Sequence, residues 1–155
     1  MLPDMVASAK PLGLGIPLGA ILLNENVASA IQVGQHGTTF GGGPLACRAS
    51  LEYFKILEEG NLLERVRTVG AYFKQRLEEL TDLPVVKEVR GEGLMLAVDL
   101  NISGKEIVQK LTEQGFIINC THETVLRMLP PFIITEKQID KFIRALRPLL
   151  EAQRG

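Results

Sequence analysis

The chain has 155 residues, of which 46% are hydrophobic and 23% charged, and its formal net charge of −1 excludes a strongly basic surface for nucleic acid or an anionic membrane. Its two cysteines, Cys47 and Cys120, belong to no CxxC or Cys/His cluster, so we expect neither a disulfide framework nor a metal site. No apolar run is long enough to span a membrane and no leader is recognisable, so we expect a cytoplasmic protein that acts on small molecules.

Two short apolar runs near the start of the chain predict strands. They cover Met5 to Ala9 and Pro17 to Leu23, and Gly13 and Gly15 lie in the loop between them. Neither run alternates between polar and apolar residues, which is typical of strands covered on both faces, as in the parallel sheet of an α/β protein. We therefore expect both faces of these strands to be covered by the rest of such a sheet. Without it, we expect the apolar surface up to about Asn24 to be disordered, repacked or buried in self-association.

Two longer helices are predicted in the middle of the chain. Asn24 to Gln35 reads as a short helix or irregular connection, and His36 to Gly43 is a loop rich in Gly and Thr. Pro44 then occupies a first helical position, and the apolar residues that follow predict a mostly buried helix that ends near Gly60. Leu62 to Leu80 has apolar residues at spacings of three and four and a charged opposite face, which predicts a second helix.

Beyond Pro84 the pattern changes to short strands alternating with helices. Strands are predicted for residues 85–89, 93–100, 116–120 and 124–129, the first two joined by a hinge at residues 90–93. We expect the chain from about Leu62 onward to form a compact α+β unit, a small antiparallel sheet backed by helices.

Two pairs of residues have the spacing of a helix capping box. Ser103 with Glu106 predicts a helix that runs to Gln114, and Thr135 with Gln138 predicts a final helix through Leu150. In a capping box the hydroxyl accepts from the backbone N–H three residues later, while the Glu or Gln side chain bonds back to the capping residue.

Lys10 follows the first apolar run in the segment AKPLGLG. A solvated surface lysine is the ordinary interpretation. An amine at the end of a strand, however, lies at the edge of a sheet, where α/β proteins bind ligands, and such an amine can form a Schiff base with a carbonyl compound. Arginine could not replace it, because a guanidinium does not deprotonate near neutral pH.

The segment HGTTFGGGPLAC offers backbone N–H groups and the hydroxyls of Thr38 and Thr39 just before a predicted helix. These are groups that bind phosphate. A Gly-rich turn that only caps a helix is the alternative, because the spacing is neither a P-loop nor GxGxxG. For His36, which has no partner motif, we expect a structural role.

Arg127 precedes Pro130 and Pro131 in the segment LRMLPP. From the residues alone, Arg127 is an arginine on a predicted strand. Its guanidinium could match a carboxylate with two parallel hydrogen bonds or remain an ordinary surface charge. In VRGEGLM the glycines predict a bend between strands, and we expect Arg90 to be structural.

Taken in order, the segments AKPLGLG, HGTTFGGGPLAC, VRGEGLM and LRMLPP resemble those of class III pyridoxal-phosphate-dependent aminotransferases, in particular the acetylornithine-type members. The resemblance implies an α/β plus α+β chain that is the C-terminal part of a fold-type I transferase. Residues 1–60 would then be the end of the large domain, and residues 61–155 the small C-terminal domain. Pro11 and Gly43 depart from the family pattern, which commonly has Gly and Asn there.

The resemblance also implies the roles of the candidate site residues. Lys10 would hold pyridoxal 5′-phosphate as a Schiff base and move protons during the transfer. Thr39, with Thr38 beside it, would bind the phosphate of a cofactor held by the other subunit, which requires a homodimer. Arg127 would line the substrate pocket, contacting a substrate carboxylate or pairing with a glutamate elsewhere in the enzyme.

The reaction implied is transfer of an amino group from N-acetylornithine, or a similar ω-amine, to 2-oxoglutarate, a step of arginine biosynthesis. In the family, the aromatic that stacks on the cofactor ring and the aspartate at its pyridine nitrogen precede the lysine. We therefore expect these 155 residues alone to be inactive. The alternative is a non-catalytic α+β module that serves only folding or dimerisation.

Overall fold

A computed structural model describes residues 2–153 of the chain, which divides into two compact units between Asn61 and Leu62. Each unit has its own secondary structure and its own internal packing. Across residues 2–153, no helix combines the length and the apolar character needed to cross a membrane.

The first unit is built on a two-stranded antiparallel sheet. Its elements are β1 (Met5–Ser8), a 3₁₀ turn (Lys10–Gly13), β2 (Ala20–Leu23), α1 (Glu25–Ala28) and α2 (Pro44–Glu59). Asn24 closes the hairpin, because its side chain donates to Asp4 Oδ1 at 2.6 Å and accepts from the N–H of Val27 at 3.0 Å. Pro44 begins α2 and Gly60 follows its end, as the sequence predicts.

The prediction of a mostly buried α2 is wrong, and the two strands lack within this chain the cover that their apolar residues call for. The two strands pair antiparallel rather than in a parallel sheet, and Met5 and Ile21 are 62% and 66% exposed. In α2 only Ala46 is buried, and Leu45 is 74% exposed. Two short strands and one long helix cannot enclose a core. The exposed apolar side chains of the first unit therefore form a surface that has nothing to pack against within the described residues of the unit.

The second unit is an antiparallel sheet backed by helices, which confirms the predicted α+β arrangement. Its helices and strands are α3 (Leu62–Glu78), β3 (Val86–Glu92), β4 (Met95–Leu100), α4 (Lys105–Glu113), β5 (Asn119–Thr121), β6 (Val125–Met128) and α5 (Glu136–Glu151). The strand order is β3-β4-β6-β5. The predicted hinge is a continuation of β3 through Glu92, with the turn at Gly93 and Leu94.

One face of this sheet packs against the helices and forms the core. Alternation along β4 and β6 places Leu96, Val98, Leu126 and Met128 on that face, each at most 2% exposed. The helices contribute buried apolar side chains that include Phe73, Leu77, Ile107, Leu111, Ile139, Leu146 and Leu150. The opposite face carries the polar residues of the same strands.

The predicted capping box of α5 is present. Thr135 Oγ1 accepts from the N–H of Gln138 at 3.3 Å, and Gln138 Oε1 accepts from the N–H of Thr135 at 2.9 Å. Each bond satisfies a backbone donor that the first helical turn leaves without an intrahelical partner. The start of α5 is therefore determined locally.

The predicted capping box of α4 is wrong. Its N-cap is Gly104, without a side-chain cap, rather than Ser103. A Cβ at Gly104 would lie 2.7 Å from Leu126 Cδ2 and 3.0 Å from Cys120 Sγ. Close packing on β5 and β6, rather than the local capping pattern, therefore determines which residue is the N-cap of α4.

Helix α3 rests directly on the turn between β3 and β4. A Cβ at Gly70 would lie 2.3 Å from the carbonyl oxygen of Gly93, a contact that no side-chain movement could relieve. Gly93 itself has φ +54°, in the left-handed region.

We predict that Gly70→Ala lowers the free energy of unfolding by about 1–3 kcal/mol, the usual range for overpacking. In an open helix the same change would raise it by about 1 kcal/mol, so the sign separates the two effects. Urea unfolding measures it, with Gln75→Ala on an exposed part of α3 as the control, expected within about 0.5 kcal/mol of wild type. A Gly70→Ala chain as stable as wild type would contradict the close approach.

A hydrogen-bonded carboxylate joins α3 to α5. Asp140 Oδ1 accepts from Tyr72 Oη at 2.8 Å and from Arg76 Nε at 3.1 Å. The bond from Tyr72, supported by the bond and charge of Arg76, lowers the pKa of Asp140 despite its partial burial. The native state therefore holds this carboxyl ionised at a pH where the unfolded chain begins to protonate it.

We predict that this carboxylate stabilises the fold above the unfolded-state pKa of about 3.9, and that the contribution is lost as the pH falls through the lower native pKa. Asp140→Asn should therefore flatten the acid-side fall in the free energy of unfolding below about pH 4. Urea unfolding at several pH values measures this, with the exposed Glu92→Gln as control. Equal acid-side slopes for Asp140→Asn and wild type would refute the prediction.

Candidate functional site

Lys10 stands directly after the first strand in an uncommon backbone conformation. It begins the 3₁₀ turn with φ +58°, in the left-handed region that residues with a Cβ seldom occupy. Such strain concentrates at functional sites, where the surrounding structure imposes it. The side chain is exposed, and within residues 2–153 no carboxylate lies within 4 Å of its amine. The structure thus presents a lysine amine without an ionic partner.

The turn that carries Lys10 packs against α2. Leu12 in the turn and Ala46 in the first turn of α2 are 7% and 6% exposed, and they are the buried hydrophobic residues of the first unit. Gly13 is buried as well, since a Cβ there would lie 3.1 Å from Leu18 Cβ. The lysine is therefore anchored to the helix that begins where the Gly/Thr loop ends.

The loop before α2 is organised by Thr38. Its Oγ1 accepts from the N–H of Gly41 at 3.0 Å, and a Cβ at Gly41 would lie 2.2 Å from Thr38 Cγ2. Gly42 has φ +69°, so the glycine run meets both a steric and a conformational requirement. Thr39 is exposed, and its hydroxyl has no hydrogen-bond partner within the described part of the chain.

The start of α2 leaves backbone donors open. Gly43 is the N-cap and supplies no side-chain acceptor, while Pro44 has no N–H. The first backbone bond of the helix runs from the N–H of Cys47 to the oxygen of Gly43, at 3.0 Å. The N–H groups of Leu45 and Ala46 thus lie at the positive end of the helix dipole, which favours an anion.

Arg127 lies on the open face of the sheet in the second unit. Ala97 and Asn119 are its cross-strand neighbours, and its Nε donates to Asn119 Oδ1 at 3.2 Å. It is exposed, and among residues 2–153 no carboxylate lies within 4 Å of its guanidinium. Its terminal nitrogens are left for another acceptor.

Arg90 occupies the same row of the sheet, beyond Ala97, but its charge is already compensated. Its Nη1 donates to Glu88 Oε1 at 2.6 Å and to Asp99 Oδ2 at 3.2 Å. The hydrogen bonds to these two carboxylates raise its pKa further above the ordinary arginine value. This pairing distinguishes Arg90 from Arg127, and a structural role for Arg90 stays a prediction.

Sequence analysis missed Arg65. Its guanidinium donates to three consecutive backbone carbonyls, those of Phe132, Ile133 and Ile134. In sequence it is one of several charged residues on α3, and its partners lie 67 to 69 positions away. No local signal could have identified these contacts.

The remaining polar candidates form no further centre among residues 2–153. His36 is exposed, and Cys47 and Cys120 are both free thiols. Within that described range no three His, Cys, Asp or Glu side chains are placed to hold a metal ion.

The donor set of the first unit fits one kind of small molecule. It combines a lysine amine, which reacts with an aldehyde, with threonine hydroxyls and helix N-terminal N–H groups, which bind phosphate. A molecule that carries both an aldehyde and a phosphate suits this set, whether one subunit or two supply the parts.

Comparison with known proteins gives a consistent result. A family model described as "Aminotransferase class-III" matches residues 1–150. The acetylornithine aminotransferase of Methanocaldococcus jannaschii is 48% identical over 145 residues, which cover 93% of this chain and 36% of that protein. The acetylornithine aminotransferase of Aquifex aeolicus is 49% identical over 148 residues, covering 96% of this chain and 38% of that protein.

The same likeness extends to solved structures. The ornithine δ-aminotransferase of Plasmodium falciparum matches with a TM-score of 0.90 and 34% identity, covering 98% of this chain and 41% of that one. The chain therefore spans well under half the length of the relatives it matches, and it matches them over nearly its whole length.

Proposed function

The chain belongs to the class III aminotransferases, a family dependent on pyridoxal phosphate, and we propose that its enzyme moves an amino group from N-acetylornithine, or a similar ω-amine, to 2-oxoglutarate. The single observation that carries the proposal is the Lys10 turn anchored to the helix that follows the Gly/Thr loop. In this assignment residues 1–60 are the end of the large domain and residues 61–155 are the small domain.

Pyridoxal phosphate, when bound, supplies the carbonyl that accepts an amino group from one substrate and gives it to the next. Lys10 is the residue that would hold this cofactor. Its Nζ would also carry the proton that leaves the amine-bearing carbon of the substrate. The exposed position of Lys10 and the lack of a carboxylate within 4 Å among the described residues support this role.

Thr39 and the start of α2 are the groups proposed to bind the phosphate. The Thr39 hydroxyl has no hydrogen-bond partner within residues 2–153, whereas the Thr38 hydroxyl accepts from Gly41 and holds the loop in shape. Thr38 keeps a hydroxyl hydrogen to donate, so it remains the second candidate ligand. If Thr39 serves the cofactor of another subunit, the enzyme is a homodimer.

Arg127 is the proposed clamp for a substrate carboxylate. Its terminal nitrogens face the open side of the sheet, and the described residues offer them no carboxylate within 4 Å. The charge of Arg90 is already shared with two carboxylates, both bound at Nη1, so Arg90 would attract a further carboxylate less strongly than Arg127. The fork geometry of a guanidinium suits the carboxylates of both 2-oxoglutarate and an amino-acid donor.

N-acetylornithine is the preferred donor because both relatives compared above, at 48% and 49% identity, are acetylornithine aminotransferases. A relative named ornithine aminotransferase, at 38% identity over 149 residues, keeps ornithine as the second donor to test. With N-acetylornithine as donor, the enzyme would act in arginine biosynthesis, and we place it in the cytoplasm.

A non-catalytic folding or dimerisation module is the rival proposal, and the exposed apolar strands of the first unit are the observation that favours it. The two proposals differ in what they require of Lys10. A module has no use for its amine, whereas an aminotransferase depends on it.

We predict that Lys10→Ala lowers amino transfer from N-acetylornithine to 2-oxoglutarate on the order of a thousandfold in the enzyme that carries this chain, because both the holding amine and the proton carrier are lost. Lys55→Ala, an exposed lysine of α2, is the matched control and should leave the rate within about twofold of wild type. Steady-state assays with N-acetylornithine and then ornithine measure both the loss and the donor preference. Absence of transfer in wild type, or retention of it in Lys10→Ala, would favour the module.

A further inference from the structure

Arg65 on α3 binds the segment that directly follows the strand of Arg127. Its Nε donates to the carbonyl of Phe132 at 3.0 Å, and its Nη2 donates to those of Ile133 at 3.3 Å and Ile134 at 2.6 Å. Arg65 is partly buried, and within residues 2–153 no carboxylate lies within 4 Å of it. Its charge is therefore satisfied by carbonyl dipoles of this one segment.

The segment at residues 129–134 has little other hydrogen bonding. Pro130 and Pro131 have no N–H, and the turn they enter is closed by one backbone bond, from the N–H of Ile134 to the oxygen of Pro131 at 3.0 Å. Leu129 and Ile133 are 66% and 70% exposed, so their side chains add little packing. Arg65 thus supplies most of the polar contacts that hold this segment.

Both ends of the segment join elements of the folded second unit. Met128, the last residue of β6, is 2% exposed, and Thr135 begins α5 with its capping box. Phe132 and Ile134 are partly buried against the core. Losing Arg65 would therefore loosen the segment and the residues of β6 that lead into it, while the core keeps the unit folded.

We propose that Arg65 is a positioning residue, which holds residues 129–134 and through them the end of β6 that presents Arg127 to a substrate carboxylate. Two residues separate Arg127 from the first proline, so movement of the segment is transmitted along the strand to the guanidinium. The kinetic part of this inference rests on the proposed aminotransferase function.

The kinetic test uses the enzyme that carries this chain, with 2-oxoglutarate as the varied substrate. Arg65→Ala should raise KM about tenfold and change kcat by less than about threefold, because it misplaces a binding group and leaves the reacting amine intact. Arg65→Lys, which keeps the charge but not the fork, should give a smaller rise. Arg67→Ala, an exposed arginine of the same helix, should match wild type.

A double-mutant cycle separates positioning from general damage. In an Arg127→Ala background, adding Arg65→Ala should raise KM by less than about twofold, because the residue through which it acts is gone. Additive effects, or an Arg65→Ala enzyme no different from Arg67→Ala, would overturn the inference. If Arg65→Ala does not fold, the same comparisons are made with Arg65→Lys.

Hydrogen exchange on the 155-residue chain tests the structural part without any catalysis. The amide of Ile134, which bonds to the oxygen of Pro131, should exchange at least about tenfold faster in Arg65→Ala, while peptides from β4 remain unchanged. Unchanged exchange at residues 129–134 would refute the role of Arg65 whatever the enzyme does. A wild-type enzyme without amino transfer, combined with faster exchange, would refute the proposed function and keep Arg65 as the residue that holds this segment.

Discussion

The antiparallel pairing of β4 with β6 decides which side chains of the second unit are available for chemistry. Leu96 and Val98 face Met128 and Leu126 across the strands and close the core, so the alternating residue Arg127 must point to the open face. A register shift by one residue would bury a guanidinium and expose two large apolar side chains. The position of Arg127 and of the proline segment behind it follow from this one pairing.

In the second unit the local sequence signals agree with the structure because its core is complete. Helix α3, the β3–β4 hairpin and the capping box at Thr135 were all predictable from spacing and residue type. The failure at Ser103 has a tertiary cause, since the start of α4 packs closely on the side chains of Cys120 and Leu126. Sequence patterns do not contain such contacts between distant residues.

In the first unit the same methods predicted the elements but not their burial. The apolar residues Met5, Ile21 and Leu45 indicate surfaces meant to be covered, yet the unit offers only a hairpin and one long helix. Periodicity predicts which face of an element needs a partner. It cannot supply the partner, so burial was the least predictable property of this chain.

The candidate site also has a part that the sequence predicts and a part that it does not. Lys10, Thr38, Thr39 and Arg127 were recognisable from their segments, because a family resemblance connects each to a role. What distinguishes Thr39 from Thr38, and Arg127 from Arg90, is hydrogen bonding that only coordinates reveal. Arg65 had no signal at all, since its partners are backbone carbonyls of a distant segment.

Lys10 is proposed as the amine that holds the cofactor. The most direct test is borohydride reduction of the enzyme that carries this chain in the presence of pyridoxal phosphate. Reduction fixes the cofactor to whichever amine holds it, and mass spectrometry of the peptides then identifies the labelled residue. We expect saturable label on the peptide that contains Lys10. Label spread over many lysines, or concentrated on another one, would contradict it.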